Sequence, residues 1–372
     1  MPLGRPAPGR RSRGGNGREL TPSAPHRPVV RPAAVLAYNP GPGGVRVSSA
    51  ADNPPTAPSG PGRLAEEIGR LKASRGALLL AHYYQDPEIQ DLADFVGDSL
   101  ELARAAQRSR ASVIVFCGVR FMAEVAKILN PEAVVLVPDL EAGCSLEESC
   151  PPEEFAAWRT AHPGALAVTY INCSAAVKAL SDVIVTSSSA ERILAQLPED
   201  REILFAPDRH LGAYLQRRTG RRMLLWPGSC IVHEQFSHKA LVGLKAVHPA
   251  APVTAHPECP EPILALADHV GSTTSILRFV QASPAQEFLI ATEPGVIHQM
   301  ERLAPGKRFI PVPGQEGECG CNTCPYMRRN TLEGLWRCLR DGGPEIVMDE
   351  ALRAAAAKPL DAMLALTASP SA

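Results

Sequence analysis

Three cysteines that could bind a metal group each follow an apolar stretch typical of a buried strand: Cys144, Cys230 and Cys324. Thiolates are preferred ligands of zinc and of iron–sulfur clusters. A closed structural zinc site takes four ligands, whereas three thiolates suit a cluster that leaves one iron open. The pattern therefore predicts an iron–sulfur cluster with one open position where the three stretches meet. The alternative is three unrelated cysteines, because free cysteine is commonly buried.

Three hydroxyl residues stand where helices are predicted to begin, namely Ser99, Ser187 and Thr273. The first N–H groups of a helix have no partner within the helix, and its dipole attracts anions there. These residues are therefore candidates for binding an anionic substrate. Each of them is also explained by simple helix capping.

The same spacing recurs three times along the chain. From His82 to Ser99, from Tyr170 to Ser187 and from His256 to Thr273 the distance is 17 residues, and the three stretches begin 88 and then 86 residues apart. Each contains apolar Val/Ile/Leu runs separated by helical patterns, which predicts a βαβαβαβ unit with a parallel sheet. Because ligands gather at the carboxyl ends of such strands, three sheets around one axis would direct these residues to one centre.

The repeats predict the fold class and the domain limits. The fold is expected to be α/β, with three pseudo-threefold-related αβα domains whose parallel sheets surround a central [4Fe-4S] cluster. The domains are expected at 62–145, 146–235 and 236–330, with C-terminal helices at 331–372 that pack back on the first domain. The second of these helices is expected to be interrupted at Pro359.

Composition excludes several classes of function. The chain has 372 residues and a net charge of -1, and 5% of its residues are aromatic. That balance suggests neither a nucleic-acid surface nor a base-stacking platform. No apolar run of membrane-spanning length occurs, and ten cysteines without a secretory signal predict reduced thiols in the cytoplasm.

Residues 1–61 differ from the rest of the chain. The first 60 contain 12 proline and 9 glycine residues, together with eight arginines and two acidic residues. This composition predicts a disordered leader. An arginine-rich segment also invites a targeting interpretation, but the proline and glycine density speaks against an amphipathic targeting helix.

Many segments resemble the quinolinate synthase family, in order, over roughly residues 62–365. The matching segments include AHYYQ (81–85), EAGCSL (141–146), TYINCSAAVKA (169–179), GSCIVHE (228–234), AHPEC (255–259), GSTTSI (271–276) and CPYMRRNTLE (324–333). The resemblance implies three αβα domains around a [4Fe-4S] cluster held by three cysteines. It also implies condensation of iminoaspartate (iminosuccinate) with dihydroxyacetone phosphate to give quinolinate, phosphate and water in de novo NAD biosynthesis.

The resemblance selects among the cysteines. It places the first ligand in AGCSL, which is Cys144 rather than Cys117, and the third ahead of the Pro-aromatic-Met segment, which is Cys324 rather than Cys319 or Cys321. Four others are expected to be ordinary buried or loop thiols: Cys150, Cys173, Cys259 and Cys338.

Substrate-binding roles also follow from the resemblance. His82, Tyr170 and Asn172 correspond to family residues that hold the iminoaspartate portion. His256 and Thr273 would hold the phosphate or the enediol that develops from it. The open iron would act as a Lewis acid.

Glu258 is the candidate general base, because it lies two residues from His256 in a loop expected to face a dry pocket. Burial is expected to raise its pKa towards the range useful for proton transfer. Tyr84 would lie opposite Glu258 in the pseudo-symmetric arrangement and relay a proton.

Two alternatives remain at this stage: another three-cysteine [4Fe-4S] enzyme and a non-catalytic iron–sulfur sensor. A sensor would not need His256, Glu258 and Tyr84 at one centre. The resemblance implies small-molecule substrates as partners. It also implies L-aspartate oxidase as the source of the unstable imine, with transient contact conceivable.

Overall fold

Three parallel sheets of four strands form the body of the protein. The computed structural model describes residues 57–58, 60–315 and 322–368, so the predicted leader lies almost entirely outside the described residues. Within them, the three sheets confirm the predicted α/β class with three pseudo-threefold-related repeats.

The strands have equivalent orders in the three sheets. The first repeat contains β1 (Ala77–His82), β2 (Phe95–Gly97), β3 (Val113–Cys117) and β4 (Val134–Leu136). The second contains β5 (Leu166–Tyr170), β6 (Val183–Val185), β7 (Ile203–Ala206) and β8 (Met223–Leu225). The third contains β9 (Val253–Ala255), β10 (His269–Val270), β11 (Glu287–Ala291) and β12 (Arg308–Pro311). The orders are β2-β1-β3-β4, β6-β5-β7-β8 and β10-β9-β11-β12.

Helices connect these strands and precede each sheet. The first repeat has α1 (Pro61–Arg75), α2 (Pro87–Leu92), α3 (Ser99–Arg108) and α4 (Arg120–Leu129), followed by α5 (Ser145–Glu148). The second has α6 (Pro152–Ala161), α7 (Ala175–Ala179), α8 (Ala190–Leu194) and α9 (Arg209–Thr219). The third has α10 (His238–Val247), α11 (Glu261–Leu264), α12 (Thr273–Ala282) and α13 (Ile297–Leu303). Single 3-10 turns lie at His233–Gln235, Pro294–Val296 and Met327–Arg329.

The strands form because their side chains are buried on both faces. Leu79 and Leu80 of β1 face opposite sides of the sheet, and both are fully buried. Leu79 packs with Leu335 and Leu339, whereas Leu80 packs with Ile114 and Phe116. This double burial explains the continuous apolar runs, which parallel sheets require.

A repeated aspartate fixes the start of the central strand in every sheet. Asp94, Asp182 and Asp268 are 88 and 86 residues apart, the same intervals as the strand ends. Each carboxylate accepts a hydrogen bond at 2.8 Å from a backbone N–H of the central strand, from Leu79, Ala167 and Val253 respectively. Each also faces one cation, which is Lys72, Arg159 or Lys245. The Leu-Ala-Asp and Leu-Ser-Asp triplets mark this aspartate in the sequence, but its contact with the central strand was not predicted.

The C-terminal helices α14 (Leu332–Asp341) and α15 (Glu350–Leu366) pack on different repeats. Helix α14 lies against α1, so Leu335 and Leu339 join the core of the first repeat as predicted. Helix α15 instead lies mainly against α7 and β6 of the second repeat, and also touches α4. The prediction that both helices pack on the first domain is therefore wrong for α15.

The predicted interruption at Pro359 is also wrong, because α15 continues through it. A proline inside a helix removes one backbone hydrogen bond and crowds the preceding turn. Ala356, Leu360 and Met363 on either side of it are fully buried. Burial of this apolar face offsets the lost bond. Among the described residues, no helix combines the length and apolarity that crossing a membrane requires.

The aspartate contacts generate the first prediction. In Asp182→Ala the buried N–H of Ala167 loses its carboxylate acceptor, and leaving a buried donor unpaired costs about 1–3 kcal/mol. We expect the free energy of unfolding to fall by that amount in urea titrations of metal-free protein. Asp182→Asn keeps an acceptor oxygen and should lose less, and the exposed Asp200→Ala should change little. Equal stabilities for Asp182→Ala and Asp200→Ala would contradict this role.

Candidate active site

One cavity of about 690 Å³, a volume that includes its opening to solvent, lies where the strand ends of the three sheets meet. All of the candidate residues named from the sequence line it: His82, Tyr84, Ser99, Cys144, Tyr170, Asn172, Ser187, Cys230, His256, Glu258, Thr273 and Cys324. The structure therefore brings together residues that are up to 242 positions apart in the chain.

The three cysteines reach the cavity from loops that follow the last strand of each repeat. Cys144 directly precedes α5, and Cys230 lies five residues after β8. Gly228 permits this path because a Cβ there would lie 2.6 Å from the carbonyl oxygen of Pro207. Cys324 follows β12, and Glu293 fixes its backbone, because the N–H of Cys324 donates to Glu293 Oε1 at 3.2 Å.

Burial raises the pKa of all three thiols. The pKa of Cys324 is raised to about 11, and those of Cys144 and Cys230 lie well above their usual value. Repulsion between the thiolates contributes, since the charge on Cys324 raises the pKa of both other thiols. A bound cationic group stabilises thiolates against both effects. The donor set thus fits a metal group held by three sulfurs.

The other cysteines among the described residues do not line the cavity. Cys117 ends β3, where it is fully buried among Leu335, Trp336 and Leu339. The thiols predicted to be ordinary are also buried: Cys150, Cys173, Cys259 and Cys338. Cys319 and Cys321 lie outside the described residues.

Two histidines occupy equivalent strand ends in the same neutral tautomer. The backbone N–H of Tyr84 donates to Nδ1 of His82 at 3.2 Å, and that of Glu258 donates to Nδ1 of His256 at 3.4 Å. Each proton therefore sits on Nε2. Burial lowers the pKa of His82 to about 4 and that of His256 to about 3, against the opposing pull of nearby acids. Both imidazoles thus offer the cavity an uncharged N–H donor.

Two of the three hydroxyl residues begin helices, as predicted. Ser99 begins α3 and Thr273 begins α12, but the capping bonds come from the preceding residues, Asp98 and Ser272. Simple capping therefore does not explain Ser99 and Thr273. Ser187 differs, because it lies in a turn three residues before α8, where its Oγ is 3.2 Å from Nε2 of His256.

Glu258 is buried and satisfied by two partners. Tyr170 donates its hydroxyl to Oε1 at 2.6 Å, and Oε2 lies 2.8 Å from Nδ1 of His233. Burial raises its pKa, but the imidazoles of His256 and His233 and the hydrogen bonds from His233 and Tyr170 outweigh that effect. Its pKa is therefore below the usual range. The expectation of a raised pKa is wrong, because the sequence did not reveal these donors.

Tyr84 reaches Glu258 only through intermediates. Its hydroxyl lies 2.9 Å from Thr273 Oγ1 and 2.8 Å from Thr292 Oγ1, and Thr292 Oγ1 lies 3.0 Å from Nε2 of His233. When Nδ1 of His233 donates to Glu258, Nε2 of His233 accepts from Thr292, and Thr292 accepts from Tyr84. We call Tyr84, Thr292, His233 and Glu258 the hydrogen-bond chain. Burial also raises the pKa of Tyr84 well above its usual value.

His233 and Glu258 also stand beside one thiol. The ligand atoms of Cys230, His233 and Glu258 lie within 4.8 Å of one another, and Nδ1 of His233 is 3.3 Å from Sγ of Cys230. A metal ion held at Cys230 would therefore find further donors nearby.

The sequence analysis missed several lining residues. Asp98 lines the cavity, accepts from two N–H groups of α3 and binds the hydroxyl of Ser188 in the second repeat at 2.7 Å. Glu293 is fully buried and accepts from Arg328 at 3.1 Å. Glu293 occupies the position of Asp208 in the second repeat, and that correspondence was the available signal.

The fold and the site define a three-sheet α/β protein whose cavity is lined by three thiols and by acid–base side chains from all three repeats. A family model described as Quinolinate synthetase A protein matches residues 66–365. A quinolinate synthase of Trichormus variabilis is 57% identical over 300 residues, covering 81% of this chain and 92% of that protein. One of Synechococcus sp. is 55% identical over 319 residues, covering 86% and 99% respectively. The chain therefore belongs to the quinolinate synthase family, the enzymes that make quinolinate in NAD biosynthesis.

The buried histidines generate a pH prediction. His82 and His256 should keep the chemical shifts of the Nε2–H tautomer from pH 8 down to about pH 5 in metal-free protein observed by nitrogen NMR, because burial lowers their pKa values to about 4 and about 3. Both values lie below the unfolded value of about 6.5. Below about pH 6.5 the unfolded chain therefore binds more protons at these two histidines than the folded protein does. The free energy of unfolding accordingly falls as the pH decreases from about 6.5 towards those values. Titration of either ring near pH 6.5 in the folded protein would contradict the assignment.

Proposed function

We propose that this chain is a quinolinate synthase that condenses iminoaspartate with dihydroxyacetone phosphate, releasing phosphate and water. The observation that carries the proposal is the convergence of three thiols, two neutral imidazoles and one ionised carboxylate on a single cavity. The reaction transfers no net electrons, so it needs acid–base and charge-stabilising groups rather than a redox partner.

The cofactor we propose is a [4Fe-4S] cluster held by Cys144, Cys230 and Cys324. The shared cavity, which receives one thiol from the loop after the last strand of each repeat, supports a metal group at this place. When bound, such a cluster supplies an open iron that acts as a Lewis acid on a substrate oxygen or nitrogen.

The dicarboxylate end of the substrate is assigned to His82, Ser99, Tyr170 and Asn172. His82 offers an Nε2–H donor, and Ser99 lines the cavity at the start of α3, where Asp98 rather than Ser99 caps the helix, so the Ser99 hydroxyl can bind the substrate. The Oδ1 atom of Asn172 is buried without a protein partner among the described residues, so it can accept from a substrate N–H. We expect a carboxylate to be held by several neutral donors here.

The phosphate-bearing substrate is assigned to Ser187, His256 and Thr273. Thr273 begins the ten-residue helix α12, and the hydroxyl of Ser187 contacts Nε2 of His256. Since His256 is neutral, it donates without becoming a permanent countercharge. That arrangement favours release of the phosphate once it has left the substrate.

Proton transfer is assigned to the hydrogen-bond chain. Glu258 is ionised at neutral pH and accepts a proton at its carboxylate, while His233 and Tyr170 stabilise its charge. Tyr84 can give its hydroxyl proton to the substrate. The proton that Glu258 has accepted can then replace it if His233 takes the tautomer with the proton on Nε2, so that Glu258 donates to Nδ1, Nε2 donates to Thr292 and Thr292 donates to Tyr84. His256 orients the substrate beside these groups. The lowered pKa makes Glu258 a weaker base than expected but keeps it ready in the ionised form.

The remaining partners and the cellular location follow from this function. The substrates are small molecules, and we propose L-aspartate oxidase as the source of the imine, with at most transient contact. The reduced cysteines predicted from the sequence support a cytoplasmic enzyme. The deciding experiment is an anaerobic assay of quinolinate formation from iminoaspartate and dihydroxyacetone phosphate. Absence of quinolinate from iron-replete protein would reject the proposed activity and favour a sensor or a different three-cysteine enzyme.

Serine substitutions test the cluster ligands. Cys144→Ser, Cys230→Ser and Cys324→Ser should each lose stable iron and the absorption near 400 nm expected of a cluster, because each removes one of three sulfur ligands. Cys117→Ser and Cys150→Ser are matched controls and should retain both, since these thiols lie in cores away from the cavity. A normal cluster in Cys144→Ser together with its loss in Cys117→Ser would overturn the assignment.

Glu258→Gln tests the proton acceptor. The change removes the charge with little change in volume, so we expect quinolinate formation to slow by roughly 10²–10⁴-fold, the usual worth of a positioned general acid–base group. Tyr84→Phe should lose less if Tyr84 only relays the proton. The comparison is made anaerobically at equal iron content, with Glu199→Gln on the surface as the control.

Thr292→Val separates the two ends of the hydrogen-bond chain. It keeps the shape of Thr292 but removes the hydroxyl between Tyr84 and His233, so it should slow turnover to the same extent as Tyr84→Phe.

Turnover of Glu258→Gln within a few-fold of the parent would show that Glu258 serves binding or structure. The base would then have to be Tyr84, His233 or His256.

A further inference from the structure

A tight turn carries Asn172 into the cavity. It spans residues 171–173, directly after β5, and the N–H of Cys173 donates to the carbonyl of Ile171 at 2.8 Å. Such a three-residue turn has one internal hydrogen bond. Asn172 at its apex lines the cavity with Oδ1 buried and unpaired among the described residues. The direction of this side chain therefore depends on what fixes the turn from outside.

Lys178 fixes the turn from behind. This lysine of α7 is fully buried, and its Nζ donates to the carbonyl of Ile171 at 2.9 Å and to the carbonyl of Cys173. The two acceptors flank Asn172 on either side. One ammonium group thus binds both ends of the turn, as the amide of Gln90 does at the equivalent position of the first repeat, where it donates to the carbonyls of Tyr83 and Gln85.

The same ammonium group supports a second wall of the cavity. Nζ lies 5.2 Å from the centre of the Phe121 ring, and Phe121 is a buried lining residue. A cation at this distance is attracted to the face of the ring. Lys178 therefore connects Phe121 of the first repeat to the Asn172 turn of the second.

A buried ammonium needs compensation, and Glu124 supplies part of it. Removing a charge from water is costly unless hydrogen bonds and an opposite charge replace the hydration. Glu124 accepts from the N–H of Ala175, the first residue of α7, at 2.9 Å. Lys178 attracts its carboxylate and opposes the rise that burial causes in the pKa of Glu124. The charge is thus retained at a cost that a purely structural site could avoid with an apolar residue.

A direct chemical role for Lys178 does not fit these contacts. Nζ is not among the atoms lining the cavity, and its hydrogen bonds point to the backbone. A nucleophilic lysine would need a free, neutral amine facing the substrate. What Lys178 can do is act through Asn172.

We propose that Lys178 is a positioning residue, which holds Asn172 and Phe121 in the geometry that binds the dicarboxylate part of the substrate. The proposal rests on the proposed function, because it takes quinolinate as a dicarboxylate ligand of this cavity. Asn172 is the group that contacts the ligand: its amide N–H₂ can donate to a carboxylate of quinolinate, and its Oδ1 can accept from the N–H of the imine substrate. Lys178 sets the direction of this side chain.

The chain contains a matched control. Lys307 donates to the carbonyls of Val280 and Ser283, and its Nζ lies 5.5 Å from the ring centre of Phe288. These are the same kinds of contact, but none of the residues involved lines the cavity. Lys307→Met should therefore show what the loss of such a lysine does to stability alone.

The test compares Lys178→Met with Lys307→Met in the full-length, iron-reconstituted protein under anaerobic conditions. We measure quinolinate affinity by calorimetric titration, KM and kcat for quinolinate formation, and the melting temperature. Both variants should melt earlier than the parent. Lys178→Met alone should weaken quinolinate binding and raise KM by about tenfold, the equivalent of one lost hydrogen bond. Lys178→Gln can keep both hydrogen bonds to the turn, as Gln90 does in the first repeat, and should retain most of the affinity. If Lys178→Met does not fold, Lys178→Thr, whose side chain is too short to bind both carbonyls, replaces it.

A double-mutant cycle separates positioning from general damage. In an Asn172→Ala background, Lys178→Met should weaken quinolinate binding by clearly less than tenfold, because only its effect through Phe121 remains. Equal losses with and without the Asn172 side chain would overturn the proposal. Parental affinity in Lys178→Met would overturn it as well.

Hydrogen exchange keeps this test independent of the proposed function. If the parent binds no quinolinate, the proposed function fails, but faster exchange at residues 171–173 in Lys178→Met than in Lys307→Met would still support fixation of the turn. Unchanged exchange there would overturn the positioning role itself.

Discussion

The central strand of each sheet must end at the shared cavity, and most of the site follows from this constraint. An aspartate fixes the start of each central strand through a backbone N–H, and a cation holds that aspartate in place. The strand then carries His82 or Tyr170 to its carboxyl end, or leads directly into His256. Side chains from distant parts of the sequence meet there without any covalent link between them.

Burial at this meeting point determines the charge of each group. His82 and His256 are neutral because a charged imidazole would lose its hydration, whereas Glu258 remains ionised because Tyr170 and His233 donate to it. The thiols resist ionisation for the same reason as the imidazoles. The cavity is lined by three carboxyl groups, those of Asp98, Glu258 and Glu293, together with several neutral donors. It therefore suits anionic substrates only if a cationic group also enters, and this is the physical argument for the metal cluster proposed at the three sulfurs.

The sequence predicted the features that depend on spacing. Apolar runs and the 17-residue offsets predicted the three sheets, and the cysteine positions predicted the shared cavity lining. The sequence did not predict side-chain partners between repeats, because those depend on packing. The contact of Tyr170 with Glu258 reverses the expected direction of the pKa shift of Glu258, and Thr292 links Tyr84 to His233 with no local pattern to mark it. Pro359 illustrates the same limit, since burial of α15 overrides a strong local signal.

The symmetry of the scaffold is what permits its chemistry to be asymmetric. Two residues past the three strand-end positions the chain places Tyr84, Asn172 and Glu258, a weak acid, an amide and a carboxylate. In the first and third repeats the backbone N–H of Tyr84 or Glu258 sets the imidazole tautomer of the strand-end histidine. The second repeat has a tyrosine at the strand end, so there is no imidazole for Asn172 to orient. Its turn is held instead by the buried ammonium of Lys178. The first repeat has Gln90 at the position of Lys178, and its Nε2 donates to the carbonyls of Tyr83 and Gln85. The equivalent turn is therefore held by a cation in the second repeat and by a neutral amide in the first, so one repeated backbone gives the cavity chemically different walls.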